Sequence, residues 1–503
     1  MASDSNNLPP ESATRRKVVF SFWAVIIVGV PLWWITTRIY RANLPLETMK
    51  QWSLGKVCSV EFPISVAVSS FDSTLDLESL IRNAQHQIDD SNEFNSHHLR
   101  LHSRPDSHES LKLEEYSVLL FPDPTLSEPT INFHDHNRTL SIWYPLSSKG
   151  ALKQYISSNL LNLFSSERII VRDILAQDTS AQNIRVLKYS STFGVTFSLM
   201  NAEGDGLIQS WDIEDAERSY LQPLIHQLSV VSNFTVDSQI QYYTTSSFEP
   251  RSFGDHWELS IDEIPGFINS AEWTLATPIS DYPSINFIVY VPSPKYRPLI
   301  IKDRSNNPVP SNAFLVPQWG GILIHNPISD STHLSKDEMK PIFSTFISQF
   351  LSLLGVPASH SPSASSLLSP KSLDGLIRLR TAENLVSAAG TMGSLARLVR
   401  QIGNMAVPER VREDVEHSIL FLEKTCWALH SSQFTLALEF SRAAHKAAEK
   451  AFFDPTMVSM LYFPNEHKYA IYTPLFGPLV FPLLTALITE LKIWRANRKL
   501  KTT

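Results

Sequence analysis

Cysteine is scarce in this sequence: its 503 residues contain two, Cys58 and Cys426. Two cysteines exclude the dense disulfide framework on which small secreted domains depend. They allow either one bridge or two buried thiols. We predict free thiols, because the residues around neither cysteine indicate a partner for it.

Signatures of catalysis are also missing. The sequence has no G-x-S-x-G nucleophile elbow, no G-x-x-x-x-G-K-[ST] phosphate loop and no D-x-D metal–sugar-nucleotide motif. The segment Gly390-Thr-Met-Gly393 is too short to cradle phosphates. A cysteine nucleophile needs a histidine base and an accessible thiol, whereas Cys58 and Cys426 both stand in apolar surroundings typical of a core. The sequence therefore favours a non-catalytic protein without a cofactor.

Positive charge is not in excess, since the net charge is −7, and this argues against a nucleic-acid binder. Histidines occur in two clusters. His134-Asp135-His136 offers two metal ligands without an evident third, so we predict no metal site. The polar stretch SNEFNSHHLRLHSRPDSHES is predicted to be a solvated loop and contains His97, His98, His102 and His108.

Long uncharged apolar runs occur at the two ends of the chain. Val18–Thr37 and Ala470–Thr489 each have 20 residues without a charge, enough to cross a hydrocarbon core of ~30 Å. A basic cluster precedes the first run, as in a signal peptide. That run is longer than a typical signal-peptide core and lacks a small-x-small cleavage site. We predict an uncleaved signal anchor and a second membrane span.

The basic residues around the second run set the predicted orientation. Lys468 is the only close basic residue before it, and five follow it: Lys492, Arg495, Arg498, Lys499 and Lys501. The positive-inside rule places that end in the cytosol. With two spans, residues 1–17 and 490–503 are cytosolic and residues 38–469 are lumenal.

Short motifs agree with this topology. Asn137-Arg-Thr and Asn233-Phe-Thr are sequons for N-glycosylation, although sequons also occur unused. The last five residues, KLKTT, place Lys499 and Lys501 in the K-x-K-x-x pattern of a cytosolic retrieval signal. The alternative for these lysines is positive charge that only fixes the orientation. Together the motifs predict the endoplasmic-reticulum membrane.

Residues 38–335 mix strand and helix patterns, which predicts an α/β or α+β domain with a mixed sheet flanked by helices. The segment PQWGGILIHNP is predicted to be a late strand that begins with a Gly-Gly turn and is anchored by Trp319. The predicted strands are Val57–Val68, Ser117–Phe121, Thr139–Tyr144, Val195–Leu199, Ile285–Val291 and Phe314–Ile324. The predicted helices are Leu75–Ile88, Leu152–Phe164 and Asp212–Val230.

Residues 336–469 read as helical. Ser335-Lys-Asp-Glu338 is a capping box that opens an amphipathic helix, and Gly355 with Pro357 ends it. A Ser/Pro-rich loop occupies residues 357–371. Three further helices are predicted, which we interpret as a bundle serving as a stalk: Leu376–Ile402, Val411–His430 and Thr435–Phe452.

Two features near the last span suggest contacts with partners. Pro474, Pro478 and Pro482 recur every four residues and share one helix face, where each leaves a backbone carbonyl unpaired. Gly477 adds a small surface for close packing, although a kinked helix that relaxes locally is the alternative. Phe452 and Phe453 belong to the junction before this span, where aromatic side chains suit either the headgroup level or a partner.

Three segments of the sequence are distinctive: RRKVVFSFWAVIIVGVPLWWITTRIYRANLP, EKAFFDPTMVSMLYFPNEHKYAIYTPLFGPLVFPLL and the internal VPQWGGILIHNP. They resemble segments of the PIG-S subunit of the glycosylphosphatidylinositol (GPI) transamidase. The resemblance implies a non-catalytic, two-span subunit of a membrane complex that replaces a C-terminal signal with a GPI anchor. It also implies partner subunits, among them a caspase-like cysteine protease that supplies the catalytic residues. The alternatives are a two-pass lumenal enzyme acting on lipid-linked glycans and a scaffold of an unrelated complex.

Overall fold

The structure is a computed structural model. It describes residues 10–37, 40–91, 96–104, 115–134, 137–176, 186–203, 208–244, 250–264, 282–327, 332–356, 368–402, 405–459 and 465–500. The chain forms two compact units. The sheet unit comprises Gly55–Ala388 and Leu420–His445, and the terminal unit comprises Met1–Leu54, Ala389–Ile419 and Lys446–Thr503.

The described residues contain twelve α-helices and fifteen strands, numbered here in chain order. The helices are α1 (Pro10–Thr37), α2 (Leu46–Ser53), α3 (Leu77–Asp90), α4 (Leu152–Leu175), α5 (Ile213–Ala216), α6 (Gln222–Leu228), α7 (Lys336–Leu353), α8 (Pro370–Gln401), α9 (Glu409–His430), α10 (Phe434–Phe452), α11 (Pro455–Ser459) and α12 (Asn465–Leu500). The strands are β1 (Phe62–Ser70), β2 (His97–Ser103), β3 (Tyr116–Pro122), β4 (Thr130–His134), β5 (Thr139–Tyr144), β6 (Thr192–Asn201), β7 (Ser210–Trp211), β8 (Asn233–Gln241), β9 (Arg251–Phe253), β10 (His256–Ser260), β11 (Ser284–Val291), β12 (Leu299–Lys302), β13 (Ala313–Val316), β14 (Gly320–Ile324) and β15 (His333–Leu334).

The first five-stranded sheet has the order β2-β1-β3-β5-β4. Its β1, β2, β3 and β5 are parallel, and β4 pairs antiparallel with β5. Helix α3 connects β1 to β2, and its first turn is capped by Asp76, whose carboxylate accepts from the Ser79 amide. Helix α4 follows β5.

The second five-stranded sheet repeats this arrangement. Its order is β8-β6-β11-β14-β13, with β6, β8, β11 and β14 parallel and β13 antiparallel to β14. Helices α5 and α6 lead from β6 to β8, and α7 follows β14. In each sheet the first strand lies second from the edge, and a hairpin strand closes the opposite edge. The sheet unit is therefore an internal duplication at the level of topology.

Smaller sheets complete the sheet unit. β10 pairs parallel with β12 and antiparallel with β9, and β7 pairs parallel with β15. An apolar cluster joins the β10–β12 sheet to the second large sheet through Leu259, Leu299, Ile288 and Ile322. Trp319 packs against this cluster, as the predicted anchor of its strand should.

The predicted mixed α/β region followed by helices is confirmed. The strand Thr139–Tyr144 has the predicted bounds, and the capping box of Ser335 and Glu338 is formed at the start of α7. The predicted strand Phe314–Ile324 is instead a hairpin of β13 and β14, because Pro317, Gln318 and Trp319 form the turn. The two glycines lie within β14 rather than in the turn.

Two predictions about the first sheet are wrong. The stretch predicted as a solvated loop contains the edge strand β2, with His97 buried at its start; an edge strand with polar side chains lacks the alternation that marks a strand. His108 lies outside the described residues. Strand β1 begins at Phe62 rather than Val57, so Cys58 precedes the strand.

Candidate functional site

Among the described residues, no group of three or more His, Cys, Asp or Glu side chains is arranged to hold a metal ion. His134 ends β4 with an exposed side chain, and Asp135 and His136 lie outside the described residues. His102 Nε2 lies 3.1 Å from a carboxylate oxygen of Glu115 in an ion pair. These described side chains do not form an arrangement typical of a metal site or a catalytic site.

The strongest polar cluster in the sheet unit surrounds Arg378, which is 1% exposed in the middle of α8. Its Nε and a terminal nitrogen donate to the two carboxylate oxygens of Glu167 in α4, at 2.6 and 2.9 Å. His97 of β2 lies 3.0 Å from Glu167 through Nε2. A bidentate arginine–carboxylate pair fixes both distance and orientation. Helix α8 is thereby bound to the edge of the first sheet.

One turn earlier, Asp374 makes a second attachment to the same sheet. Arg138, just before β5, donates to its two carboxylate oxygens at 2.6 and 2.8 Å. The Tyr116 hydroxyl on β3 donates to Asp374 at 3.2 Å. Asp374 thus contacts β3 and the residue before β5, and Arg378 is linked to β2 through Glu167.

The next arginine of α8 binds elements of the second sheet. Arg380 is 2% exposed and donates at 3.1 Å to the carbonyls of Leu187, before β6, and of Leu354, after α7. It also pairs with Glu383 at 2.5 Å. We call residues 374–380 the joining segment, since it ties both sheets to one helix. Interpreting this part of α8 as a stalk was therefore wrong: it belongs to the core of the sheet unit.

The ionisation of this cluster follows from burial and pairing. Burial lowers the pKa of His97 below its usual value, so the neutral ring accepts from Ser96 through Nδ1 and donates to Glu167 through Nε2. Burial alone would raise the pKa of Glu167, but the charge and hydrogen bonds of Arg378 hold it well below the usual range. The charged groups of this cluster bind one another, which is typical of a structural ion-pair network rather than of a catalytic site.

A disulfide adds a further tie within the sheet unit. Cys58, before β1, is bonded to Cys426 of α9, with the Cα atoms 6.3 Å apart. The prediction of free thiols is therefore wrong. The two cysteines are 368 residues apart in sequence, so the local sequence around either one carries no information about its partner.

In the internal segment VPQWGGILIHNP, close packing leaves no room for a Cβ at either glycine. A Cβ on Gly320 would lie 1.8 Å from the carbonyl oxygen of Asn286 on β11. A Cβ on Gly321 would lie 1.9 Å from the side-chain oxygen of Gln349 on α7. The glycines let β14 approach both neighbours, which is a packing role.

Both predicted glycosylation sites lie at exposed positions of the sheet unit. Asn137 belongs to the turn that precedes β5, and its side chain is exposed. Asn233 is the first residue of β8, an edge strand, and is also exposed. Both positions allow access to the asparagine amide.

In the terminal unit, α1 and α12 run antiparallel. Near one end, Trp33 packs edge-on against Tyr472 and Phe476, with ring centroids 5.4 and 6.3 Å apart. Near the other, Arg15 donates through Nε to Glu490 at 2.9 Å. Within the described residues, α12 contains one stretch long and apolar enough to cross a membrane, Phe476–Ala496, and α1 contains a shorter apolar stretch, Lys17–Trp33.

The predicted packing face of α12 is open. Pro474, Pro478 and Pro482 are all exposed within a continuous helix, and they lie about 80–160° around it from the line that contacts α1. A Cβ added to Gly477 would meet no atom within 4 Å. The proline face is therefore not covered by α1.

The segment that follows α1 is held by specific bonds. After α1, the amide of Ala42 donates to the Val407 carbonyl at 2.9 Å, and the Tyr40 hydroxyl donates to Glu409 at 2.8 Å. These bonds tie the YRANLP segment to the connection between α8 and α9.

The predicted contact pair Phe452–Phe453 ends α10, with ring centroids 5.0 Å apart and Phe453 68% exposed. The next residue, Asp454, accepts from Arg410 at 2.5 and 2.9 Å, which lowers the pKa of Asp454 to about 2. This ion pair joins the end of α10 to α9. Residues Leu461–Pro464 lie outside the described residues.

Comparisons with known proteins cover nearly the whole chain. The family model of PIG-S, described as phosphatidylinositol-glycan biosynthesis class S protein, matches residues 20–497. The Homo sapiens protein named GPI-anchor transamidase component PIGS is 29% identical over 535 residues, which is 96% of each chain. The Schizosaccharomyces pombe GPI transamidase component PIG-S homolog is 30% identical over 500 residues, covering 98% of this chain and 86% of the relative. The Saccharomyces cerevisiae GPI transamidase component GPI17 is 25% identical, with 92% and 90% covered.

Proposed function

We propose that this chain, which belongs to the PIG-S family, acts as a structural rather than a catalytic component of a GPI transamidase. Membership of that complex follows from the names of its relatives. The non-catalytic role rests on the structure: its most elaborate polar cluster, around Arg378 and Glu167, binds elements of the fold to one another. The observation that carries the proposal is the kinship across residues 20–497.

The experiment that tests membership is purification of the tagged full chain from its native membranes in mild detergent, followed by mass spectrometry. Co-purification of a caspase-like cysteine protease and multi-span subunits in comparable amounts is the expected result. Recovery of the chain alone, in a detergent that preserves a control membrane complex, would contradict the proposal.

Catalytic contribution requires a separate test. With all subunits present, we expect substitution of His97 or Glu115 to change transamidase turnover only in proportion to the amount of assembled complex. Turnover lost from a fully assembled complex would show that one of these residues takes part in the reaction. The purified chain alone is expected to release no signal peptide.

We infer a two-pass topology in the endoplasmic-reticulum membrane, with both termini cytosolic. The antiparallel contact of α1 with α12 supports it, because it places Arg15 beside Glu490 and Trp33 beside Tyr472. The Cys58–Cys426 disulfide supports a lumenal sheet unit, since disulfides persist in oxidising compartments. The basic residues that follow the uncharged run Ala470–Thr489 agree with a cytosolic tail.

Glycosylation at Asn137 and Asn233 tests this topology. We expect two N-glycans on the wild-type chain, and one after either Asn137→Gln or Asn233→Gln, measured by the mobility shift on endoglycosidase treatment. A glycan on a sequon added beyond Lys501 would place the tail in the lumen and contradict the orientation.

Retention in the endoplasmic reticulum is proposed to depend on Lys499 and Lys501. Lys501 lies outside the described residues, and Lys499 is near the end of α12. We expect Lys499→Ser/Lys501→Ser to let the unassembled chain acquire Golgi-type glycans. Lys492→Ser/Arg495→Ser, which removes the same charge upstream, is the control and should leave the glycans unprocessed.

The proline face of α12 and the Phe452–Phe453 pair are proposed to contact partner subunits. The exposure of Pro474, Pro478, Pro482 and Phe453 supports this, and each proline leaves an unpaired carbonyl that a partner helix could satisfy. We expect replacement of the three prolines by leucine to weaken co-purification. Phe453→Ala should do so too, whereas Trp427→Ala, at an exposed aromatic residue of α9, serves as control.

A further inference from the structure

The two ends of the chain meet at one end of the α1–α12 pair. Arg15 and Glu490 are 475 residues apart in sequence, and their side chains form an ion pair at 2.8 Å. Glu490 is the only acidic residue in residues 14–37 and 470–500. Its carboxylate is neutralised by Arg15, so the remaining side chains at this end of the pair leave a net positive charge.

Two cations of α12 point away from this ion pair. Relative to Glu490, Lys492 and Arg495 lie about 200° and about 140° around the helix. Both side chains are exposed. Neither residue is therefore placed to bind α1, whose contacts run along Tyr472, Phe476 and Glu490.

An apolar strip leads up to these cations on the same outward face. Leu484, Ile488 and Leu491 follow one another at spacings of four and three residues and are 39%, 51% and 48% exposed. Arg495 continues the line one turn further. Trp494, which is 53% exposed, belongs to the same turn, and tryptophan favours the headgroup level of a bilayer.

We propose that this face binds one anionic glycerophospholipid, with an acyl chain along Leu484, Ile488 and Leu491 and the phosphodiester at Lys492 and Arg495. A lipid fits better than a protein segment, because the strip changes from apolar to cationic where the uncharged run Ala470–Thr489 of α12 ends. Anionic headgroups gather at basic residues immediately beyond a membrane span. The proposal rests on the proposed insertion of α12 in a membrane, but not on membership of the transamidase.

The test is native mass spectrometry of the full chain purified in detergent, titrated separately with dioleoyl-phosphatidylserine and dioleoyl-phosphatidylcholine. We expect the wild type to retain phosphatidylserine in preference to phosphatidylcholine. Lys492→Gln/Arg495→Gln should lower retention of phosphatidylserine about 25-fold, since each basic residue near an anionic headgroup contributes about fivefold in binding. Retention of phosphatidylcholine should not change.

The matched control is Lys153→Gln/Lys188→Gln, which removes the same charge from two exposed residues of the sheet unit and should behave as the wild type. Equal retention of both lipids by the wild type, or unchanged phosphatidylserine retention in Lys492→Gln/Arg495→Gln, would overturn the proposal. So would loss of a cytosolic protein, rather than of a lipid, from that variant. Failure to recover other subunits would count against the transamidase assignment alone, because the lipid titration uses the isolated chain.

Discussion

The two five-stranded sheets share one strand order but are fixed by different forces. The first sheet is held to α8 by buried ion pairs, Arg378 with Glu167 and Arg138 with Asp374. The second is covered by α7 through packed aromatic rings, such as Phe287 and Phe346, whose ring centroids are 5.1 Å apart. Ion pairs depend on having both partners, whereas an apolar layer tolerates one imperfect member. Two sheets of the same topology are therefore expected to differ in how much a single mutation destabilises them.

The largest effect should come from breaking the charged attachment. We expect Arg378→Met to lower the free energy of unfolding by about 3–5 kcal/mol, because Glu167 would remain buried without its main partner. Arg380→Met should cost about 1–3 kcal/mol, since it leaves two carbonyls unsatisfied, while its charged partner Glu383 is partly exposed to solvent. Thermal unfolding of the purified full chain measures both.

A control separates the charge from the packing at this position. Arg378→Met/Glu167→Met removes both charges and should recover most of the lost stability. Equal losses for Arg378→Met and Arg380→Met, or no recovery in the double variant, would contradict the distinction between the sheets.

The disulfide should matter next, and mainly for the first sheet. Cys58→Ser/Cys426→Ser is expected to cost about 2–4 kcal/mol, because the bond restricts the unfolded chain. Hydrogen exchange should rise in β1, which follows Cys58, more than in β6. A reducing agent should destabilise the wild type and leave the double variant unaffected; similar exchange in both strands would argue against a local effect.

A smaller effect is expected where the sheets differ at one strand. β5 begins with Thr139 opposite Ser117, whereas β14 begins with Gly320 opposite Asn286. Gly320→Ala should cost about 1–3 kcal/mol, because the added Cβ meets backbone that must shift. Gly321→Ala should cost less, since the end of the Gln349 side chain can move aside. Urea denaturation compares the two variants, and a larger loss for Gly321→Ala would contradict this packing.

The smallest expected effect is a dependence on pH. Burial lowers the pKa of His97 beside the first sheet and of His325 after β14. The unfolded state therefore binds protons more readily, and stability should fall as the pH drops below ~6.5, by at most about 1.4 kcal/mol per pH unit for each histidine.

His97→Gln and His325→Gln separate the two contributions to this dependence. Each substitution should flatten the loss of melting temperature between pH 7.5 and 5.5 without abolishing it. Glu167, whose pKa is also lowered, loses its contribution only at more acidic pH. A slope unchanged in both variants would mean that other groups titrate in this range.

Much of the fold could be predicted where local signals are strong. The strand Thr139–Tyr144 alternates clearly, and the capping box of Ser335 and Glu338 marks the start of α7. Strand β2 was missed because the polar side chains of an edge strand hide its period, and the hairpin of β13 and β14 was missed because its turn interrupts a continuous apolar run.

The contacts of the joining segment could not be predicted from the sequence for a different reason. Arg378 and Arg380 flank Leu379 in an otherwise apolar stretch, which was the one available signal that charges are buried there. Their partners lie 211 and 193 residues away, and no local pattern encodes such a pairing. The Cys58–Cys426 bond was missed for the same reason.

The position of the joining segment has a consequence for biosynthesis. A ribosome completes the first sheet and α4 long before it reaches Arg378, since Glu167 precedes it by 211 residues. During that interval Glu167 has no arginine to neutralise it, so α4 cannot close over the sheet edge without burying a lone carboxylate. The first half of the duplicated region is therefore expected to complete its packing only after the second half and α8 have been made, and a nascent chain stopped after Leu353 is expected to remain bound to chaperones.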